Sequence, residues 1–210
     1  MTKTITRLFD DYSDAKTAVA DLETAGIPHR DISLVANNAH GEHAGRGDHD
    51  PDGVNDHGDV TRGTSTGALL GGAGGLLAGL GLLAIPGLGP IVAAGWLAAT
   101  AAGAGIGAVG GAATGSIVGA LKDAGHSDDE ANVYSEGLRR GGTLVSAKVD
   151  DADVARVESI FDANRSVDAG TRGASYRASG WDRFDADAPA YTTDEIARDR
   201  SMYGASATRL

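Results

Sequence analysis

Cysteine is absent from the 210 residues, which excludes disulfides, thiolate metal ligands and thiol nucleophiles. Aromatic residues make up only 5% of the chain, and proline occurs five times. The formal charge is −11 with no cluster of Lys and Arg, so nucleic acid is not an expected partner, because binding it requires neutralising phosphates. The same acidity weakens attraction to an anionic lipid surface. The opening MTKTITRLFDD lacks the apolar segment of a secretory signal, and the chain is expected to stay in the cytoplasm. Charge of either sign is missing altogether between Arg62 and Lys122. At this length one modest domain with tails is expected.

Glycine fills the uncharged run from Gly63 to Leu121. It recurs every fourth residue as Gly63, Gly67, Gly71, Gly75 and Gly79, and again as Gly103, Gly107, Gly111, Gly115 and Gly119. Residues four apart share a helix face, so each ladder describes a side-chain-free groove that lets another backbone approach closely. Between the ladders, Ile85-Pro86-Gly87-Leu88-Gly89-Pro90 reads as a turn. The expected object is a helical hairpin, residues 64–84 and 91–121, acting as a glycine zipper for homo-oligomerisation. Each helical glycine is worse than alanine by about 1 kcal/mol. Such helices therefore need close packing, against each other, against further copies, or inside a bilayer.

The remaining chain reads as α+β. Thr4–Phe9 is a β-rich strand, followed by a helix capped by Ser13 with Ala15, Ala18, Val19 and Leu22 on one face. Gly26 and Pro28 stop it, and Asp31–Ala36 is a second strand, so residues 1–36 make a first βαβ half. Residues 37–62 form an acidic, His-rich linker without periodicity. In 122–168, Ser127 and Glu130 form a capping box for a helix ended by Gly141-Gly142, and Thr143–Val149 is a strand. Asp151 caps a helix facing inward through Val154, Val157, Ile160 and Phe161, and residues 166–168 are a short last strand. Two such halves predict a ferredoxin-like domain with the hairpin inserted between them. Residues 169–210 read as a flexible tail, with Thr192 and Glu195 capping a short helix through Tyr203.

Several motifs invite a chemical reading. Asp48, Asp50, Asp52 and Asp59, with Gly53, match the spacing of a calcium loop, yet no amphipathic helix flanks it. His40 and His43 have ligand-like spacing, joined by His49 and His57 in the same linker. A solvated acidic linker explains both, and no cofactor is expected. Gly63-Thr-Ser65-Thr-Gly67 and Gly105-Ile-Gly107-Ala-Val-Gly110 match nucleophile-elbow and dinucleotide patterns, but neither follows a strand, and both are by-products of dense glycine. Asp10, Asp11, Asp150 and Asp151 stand at strand-to-helix junctions and read as caps rather than as an acid–base pair.

The strand ending Phe9-Asp-Asp, the Pro86-Gly-Leu-Gly-Pro90 turn between glycine runs, and Gly125-His-Ser-Asp-Asp-Glu-Ala131 with Tyr134-Ser-Glu-Gly-Leu-Arg-Arg-Gly-Gly-Thr-Leu-Val145 carry a family resemblance. Over residues 3 to 168 the chain resembles the bacterial general stress, heat-induced or low-temperature-induced proteins, and Tyr191–Ile196 is similar to the tail of some members. The resemblance implies a stress-linked, non-enzymatic protein with a ferredoxin-like domain, and it supplies no catalytic residues. Three functional readings follow. One is a homo-oligomer associated with membrane lipid at the inner membrane, and another is a soluble self-assembling oligomer with the hairpins in a dry core. The third is a metal-responsive binder using residues 40–59. No small-molecule substrate is indicated.

Overall fold

The computed structural model describes residues 2–39, 41, 81–85, 87–100 and 117–204. Its strands are β1 (Thr2–Phe9), β2 (Ile32–Asn37), β3 (Gly81–Ile85), β4 (Gly89–Gly95) and β5 (Thr143–Asp150). Its helices are α1 (Tyr12–Thr24), α2 (Ile117–Asp123), α3 (Asp128–Arg139), α4 (Val154–Ala163), α5 (Ala169–Ala178) and α6 (Thr193–Gly204). The strands form one sheet in the order β1-β5-β2-β4-β3, and every neighbouring pair is antiparallel. Since β1 and β2 each run opposite to β5, they are parallel to one another, and β5 lies between the two strands that α1 connects.

Alternation along the strands sorts side chains to the two faces. Ile5, Phe9, Leu34 and Val145 point to one face, where α1 contributes Ala15, Ala18, Val19 and Leu22 and α4 contributes Val157 and Phe161. Phe9 and Phe161 meet edge to face at 6.0 Å. Leu8, Val35, Ile91, Ala93 and Leu144 point to the other face, under Leu121 of α2, Tyr134 and Leu138 of α3, and Tyr176 of α5. With both faces covered, β2 is buried along its whole length. The result is three layers, helix–sheet–helix, rather than the two-layered sandwich that the sequence pattern suggests.

The inner element of the second helical layer is α3. Ser127 and Glu130 form the expected reciprocal capping box, with acidic residues in the first turn and Arg139 in the last, which suits the helix dipole. From Ala131 to Arg139 every residue is buried. A Cβ at Gly137 would come within 2.6 Å of the Leu8 side chain, which would have to shift to make room.

Five expectations are corrected. Residues 81–84 and 91–95, assigned to the zipper helices, are strands. Ile85 and Leu88 close a turn by Leu88 N donating to the Ile85 carbonyl at 3.0 Å, and Gly87 has the positive φ such a turn needs. Pairing with β2 explains the outcome, since β4 satisfies its backbone from Ser33↔Gly95 to Asn37↔Ile91. Residues 169–204, assigned to the flexible tail, are not one, and residues 205–210 lie outside the described residues. Helices α5 and α6 are docked, with Tyr176 and Ile196 buried. Ser13 lies inside α1, whose N-cap position is Asp11, and α4 begins after Asp153 rather than at an Asp151 cap. The last strand is reduced to one antiparallel bridge, Leu8↔Val167.

Candidate functional site

Among the described residues, an enclosed polar region lies where the C-terminal end of α3 meets β1, α5 and α6. Glu136 is fully buried and accepts hydrogen bonds from two guanidinium groups, Arg139 at 3.0 and 2.9 Å and Arg140 at 2.7 Å. Helical spacing of three and four residues brings both arginines to that one carboxylate. Arg140 also donates to Asp199 of α6, at 3.3 and 3.2 Å. The Arg140 guanidinium lies 4.3 Å from the ring centre of Tyr176, and that of Arg139 lies 4.9 Å from Tyr191. Beside them Arg172 of α5 holds both oxygens of Asp10, at 2.7 and 2.6 Å, and Arg200 donates to the Gly141 carbonyl at 2.8 Å. These groups enclose a cavity of about 10 Å³, room for about one water.

The electrostatics of the cluster follow from burial and pairing. Burial opposes the charge of Arg140, but its hydrogen bond and charge contact with Glu136, helped by Asp199, raise its pKa. Burial pushes Asp199 up, with Arg140 pulling the other way. Burial also pushes the Tyr176 hydroxyl up, so it stays protonated. The arrangement clamps two C-terminal helices to the sheet and leaves no room for a substrate.

A second polar group lies on the same sheet face. The Thr6 hydroxyl is 2.7 Å from Nε2 of His126 and 2.8 Å from the Ser146 hydroxyl, and the Tyr134 hydroxyl donates to the Thr6 carbonyl at 2.6 Å. Glu130 lies 4.0 Å from Nδ1 of the same ring. The sequence order hydroxyl, imidazole, carboxylate superficially suggests an activated nucleophile. Thr6 is only 1% exposed, however, so no substrate carbonyl reaches it, and 4.0 Å is too long for an orienting hydrogen bond.

Burial holds His126 below its ordinary value of 6.5, with Glu130 pulling up and Arg7 pushing down. A depressed imidazole means that the unfolded chain takes up its proton first on acidification. Its contribution to stability is therefore present above the ordinary histidine range and lost as pH falls through the folded value. Glu130 is opposed by burial but held low by donors from Ser127, so its contribution is lost in the same direction at still lower pH. The melting temperature is expected to fall between about pH 7.5 and 5, and His126→Gln should flatten that slope. A wild-type slope unchanged in the variant would contradict this assignment.

A larger concavity of about 320 Å³ lies between the sheet and α2, floored by Thr2, Thr4 and Lys148 and walled by Trp96 and Ala120. The Lys148 ammonium sits 3.8 Å from the centre of the Trp96 ring. Thr100, Asp123 and Ala124 complete the lining of this concavity.

The sequence-derived candidates distribute as follows. Gly63, Gly67, Gly71, Gly75, Gly79, Gly103, Gly107, Gly111 and Gly115 lie outside the described residues, and Gly119 falls in α2. Asp48, Asp50, Asp52, Asp59, His40 and His43 are likewise outside them, as are both glycine-rich nucleotide and elbow motifs. Among the described residues no group of three or more His, Asp or Glu could hold a metal ion. Asp10 and Asp150 do not form a pair. They end opposite ends of the β1–β5 ladder, about 25 Å apart at the usual rise per residue. Asp10 is instead the partner of Arg172, and Asp151 pairs with Lys3 at 3.2 Å. The ionic cluster was not anticipated. Its signal was the Glu136-x-x-Arg139-Arg140 spacing beside a mid-helix glycine.

Comparisons with family models, with curated proteins and with solved structures find no match for the chain. Among the described residues no helix is long and apolar enough to cross a membrane.

Proposed function

We propose that this chain is a non-enzymatic, self-associating protein of the stress-induced kind it resembles, in which a ferredoxin-like domain carries an uncharged glycine-rich insert that mediates homo-oligomerisation. The observation that carries the reading is the placement of that insert. The run without charge returns to the domain as β3 and β4, the outermost strands on one side of the sheet. The buried charges, by contrast, are paired within the chain and hold its own helices in place. The ferredoxin-like part is supported by the order Val167, β1, β5, β2, with α1 and α4 packed on one face.

Light scattering on the purified protein tests this. The mass is expected to exceed that of the 21.1 kDa chain, and Gly71→Leu or Gly111→Leu should lower it by separating packed backbones. A wild-type mass of one chain would overturn the proposal. Membrane association is the second reading, favoured by the length of the uncharged run. Release of the protein from membranes by a carbonate wash would rule against integral insertion.

A further inference from the structure

Nε of Arg200 is buried and has no hydrogen-bond partner among the described residues, although Nη2 of the same guanidinium donates to the Gly141 carbonyl at 2.8 Å. A buried donor so placed costs stability unless a water or an ion accepts from it. Arg200 lines the cavity of about 10 Å³ at the end of α3, together with Arg140, Arg172 and Tyr176 and the carboxylates Asp10 and Asp199. A guanidinium donates hydrogen bonds and accepts none. The space beside three of them therefore favours an acceptor.

Charge around the cavity does not balance. Arg139, Arg140, Arg172 and Arg200 face only Asp10, Glu136 and Asp199, four cations against three anions. The excess is larger on the inside, because the Arg172 and Arg140 side chains are 5% and 10% exposed whereas Asp10 is 37% exposed and partly screened by water. Glu195 of the same helix as Arg200 is exposed and is engaged by the Thr192 backbone N–H and hydroxyl. In a chain with 29 acidic and 18 basic residues, this enclosed cluster carries the opposite sign. An uncompensated buried charge is strongly unfavourable.

We infer that this cavity binds one small anion of the halide class, chloride being the ligand, held by Arg200 with Arg140 and Arg172 beside it. Size selects the class. Room for about one water excludes sulfate, phosphate and carboxylates, each of which brings several heavy atoms. A water fits the space too, but it is neutral and leaves the surplus guanidinium uncompensated. Since Arg140, Arg172 and Arg200 belong to the end of α3, to α5 and to α6, the ion fastens the two C-terminal helices to the domain. The inference does not depend on self-association.

The full chain provides the test. At equal ionic strength the wild-type protein should melt about 4 °C higher in sodium chloride than in sodium gluconate, the shift expected when chloride is about tenfold above its dissociation constant. Gluconate is too large for the cavity, and equal ionic strength removes general screening. Arg200→Gln should abolish the difference between the salts, whatever its effect on stability in either one. Arg156→Gln removes an exposed arginine of α4 paired with Asp153 and should keep the full difference. Crystals of the wild-type protein soaked in sodium bromide should show an anomalous peak between Arg200 and Arg140. Equal melting of the wild type in the two salts, a difference that survives Arg200→Gln or is lost in Arg156→Gln, or crystals without bromide in this cavity would each overturn the site. If Arg200→Gln does not fold, the bromide peak decides.

Discussion

Glu136→Ala is expected to destabilise the fold by about 3–5 kcal/mol, the usual consequence of removing one partner from a buried ion cluster. The carboxylate is fully buried and receives three hydrogen bonds from Arg139 and Arg140. Its removal leaves two desolvated guanidinium groups, of which Arg140 retains Asp199 and Arg139 has its aromatic neighbours. For a chain of this size the loss corresponds to a fall of about 10 °C in melting temperature. Denaturant titration should show a lower midpoint with little change in slope. The effect should also reach α6, because Asp199 is held through Arg140, so amide exchange in α6 should rise first. Combining Glu136→Ala with Asp199→Ala should cost less than the two changes added, since both act on one guanidinium group. Near-native stability of Glu136→Ala would show that the cluster does not hold these helices.

Gly95→Ala is expected to cost about 3 kcal/mol, while Gly26→Ala costs about 1 kcal/mol, although both glycines have a φ of 87°. The conformational penalty of a left-handed L-residue is common to both. What differs is space. A Cβ on Gly26 meets nothing within 4 Å, whereas on Gly95 it would collide with the Ile32 carbonyl and lie 2.8 Å from the Ser33 Cα. Those atoms belong to β2, directly across the ladder from Gly95, so the collision pushes β4 off its partner strand. Comparing the two variants by denaturant titration isolates the packing contribution from the backbone contribution. Equal losses would mean that β4 does not sit against β2 as described.

Where local pattern was strong, the elements were readable. Alternation in Thr143–Val149, the four-residue spacing of Ala15, Ala18, Val19 and Leu22, and the reciprocal Ser127–Glu130 and Thr192–Glu195 boxes all mark elements that are present. The apex of the uncharged run was misread because a short, wholly apolar stretch has no polar side to reveal its period. A clue was available nonetheless. The glycine ladders stop at Gly79 and resume at Gly103, so the hairpin falls in the gap between them, and Ile91-Val92 is a β-branched pair. The C-terminal helices were missed for a different reason. Ala169–Ala178 contains two glycines and little apolar surface, and it is anchored through Tyr176 and the Arg172–Asp10 pair.

Sequence alone sets the acidity, the uncharged glycine-rich run and the helices whose caps and apolar faces lie within a few neighbouring residues. Those features depend on short-range geometry, which the order of residues specifies directly. Folding in three dimensions assigns the neighbours of each strand, places β5 between β1 and β2, and brings Arg172 to Asp10, 162 residues away. It also turns a helix with scattered polar residues into the buried centre of a layer. Contacts of that kind form only when the whole chain closes on itself. A side chain's partner is then chosen by which surfaces become buried together, and no local period records that choice.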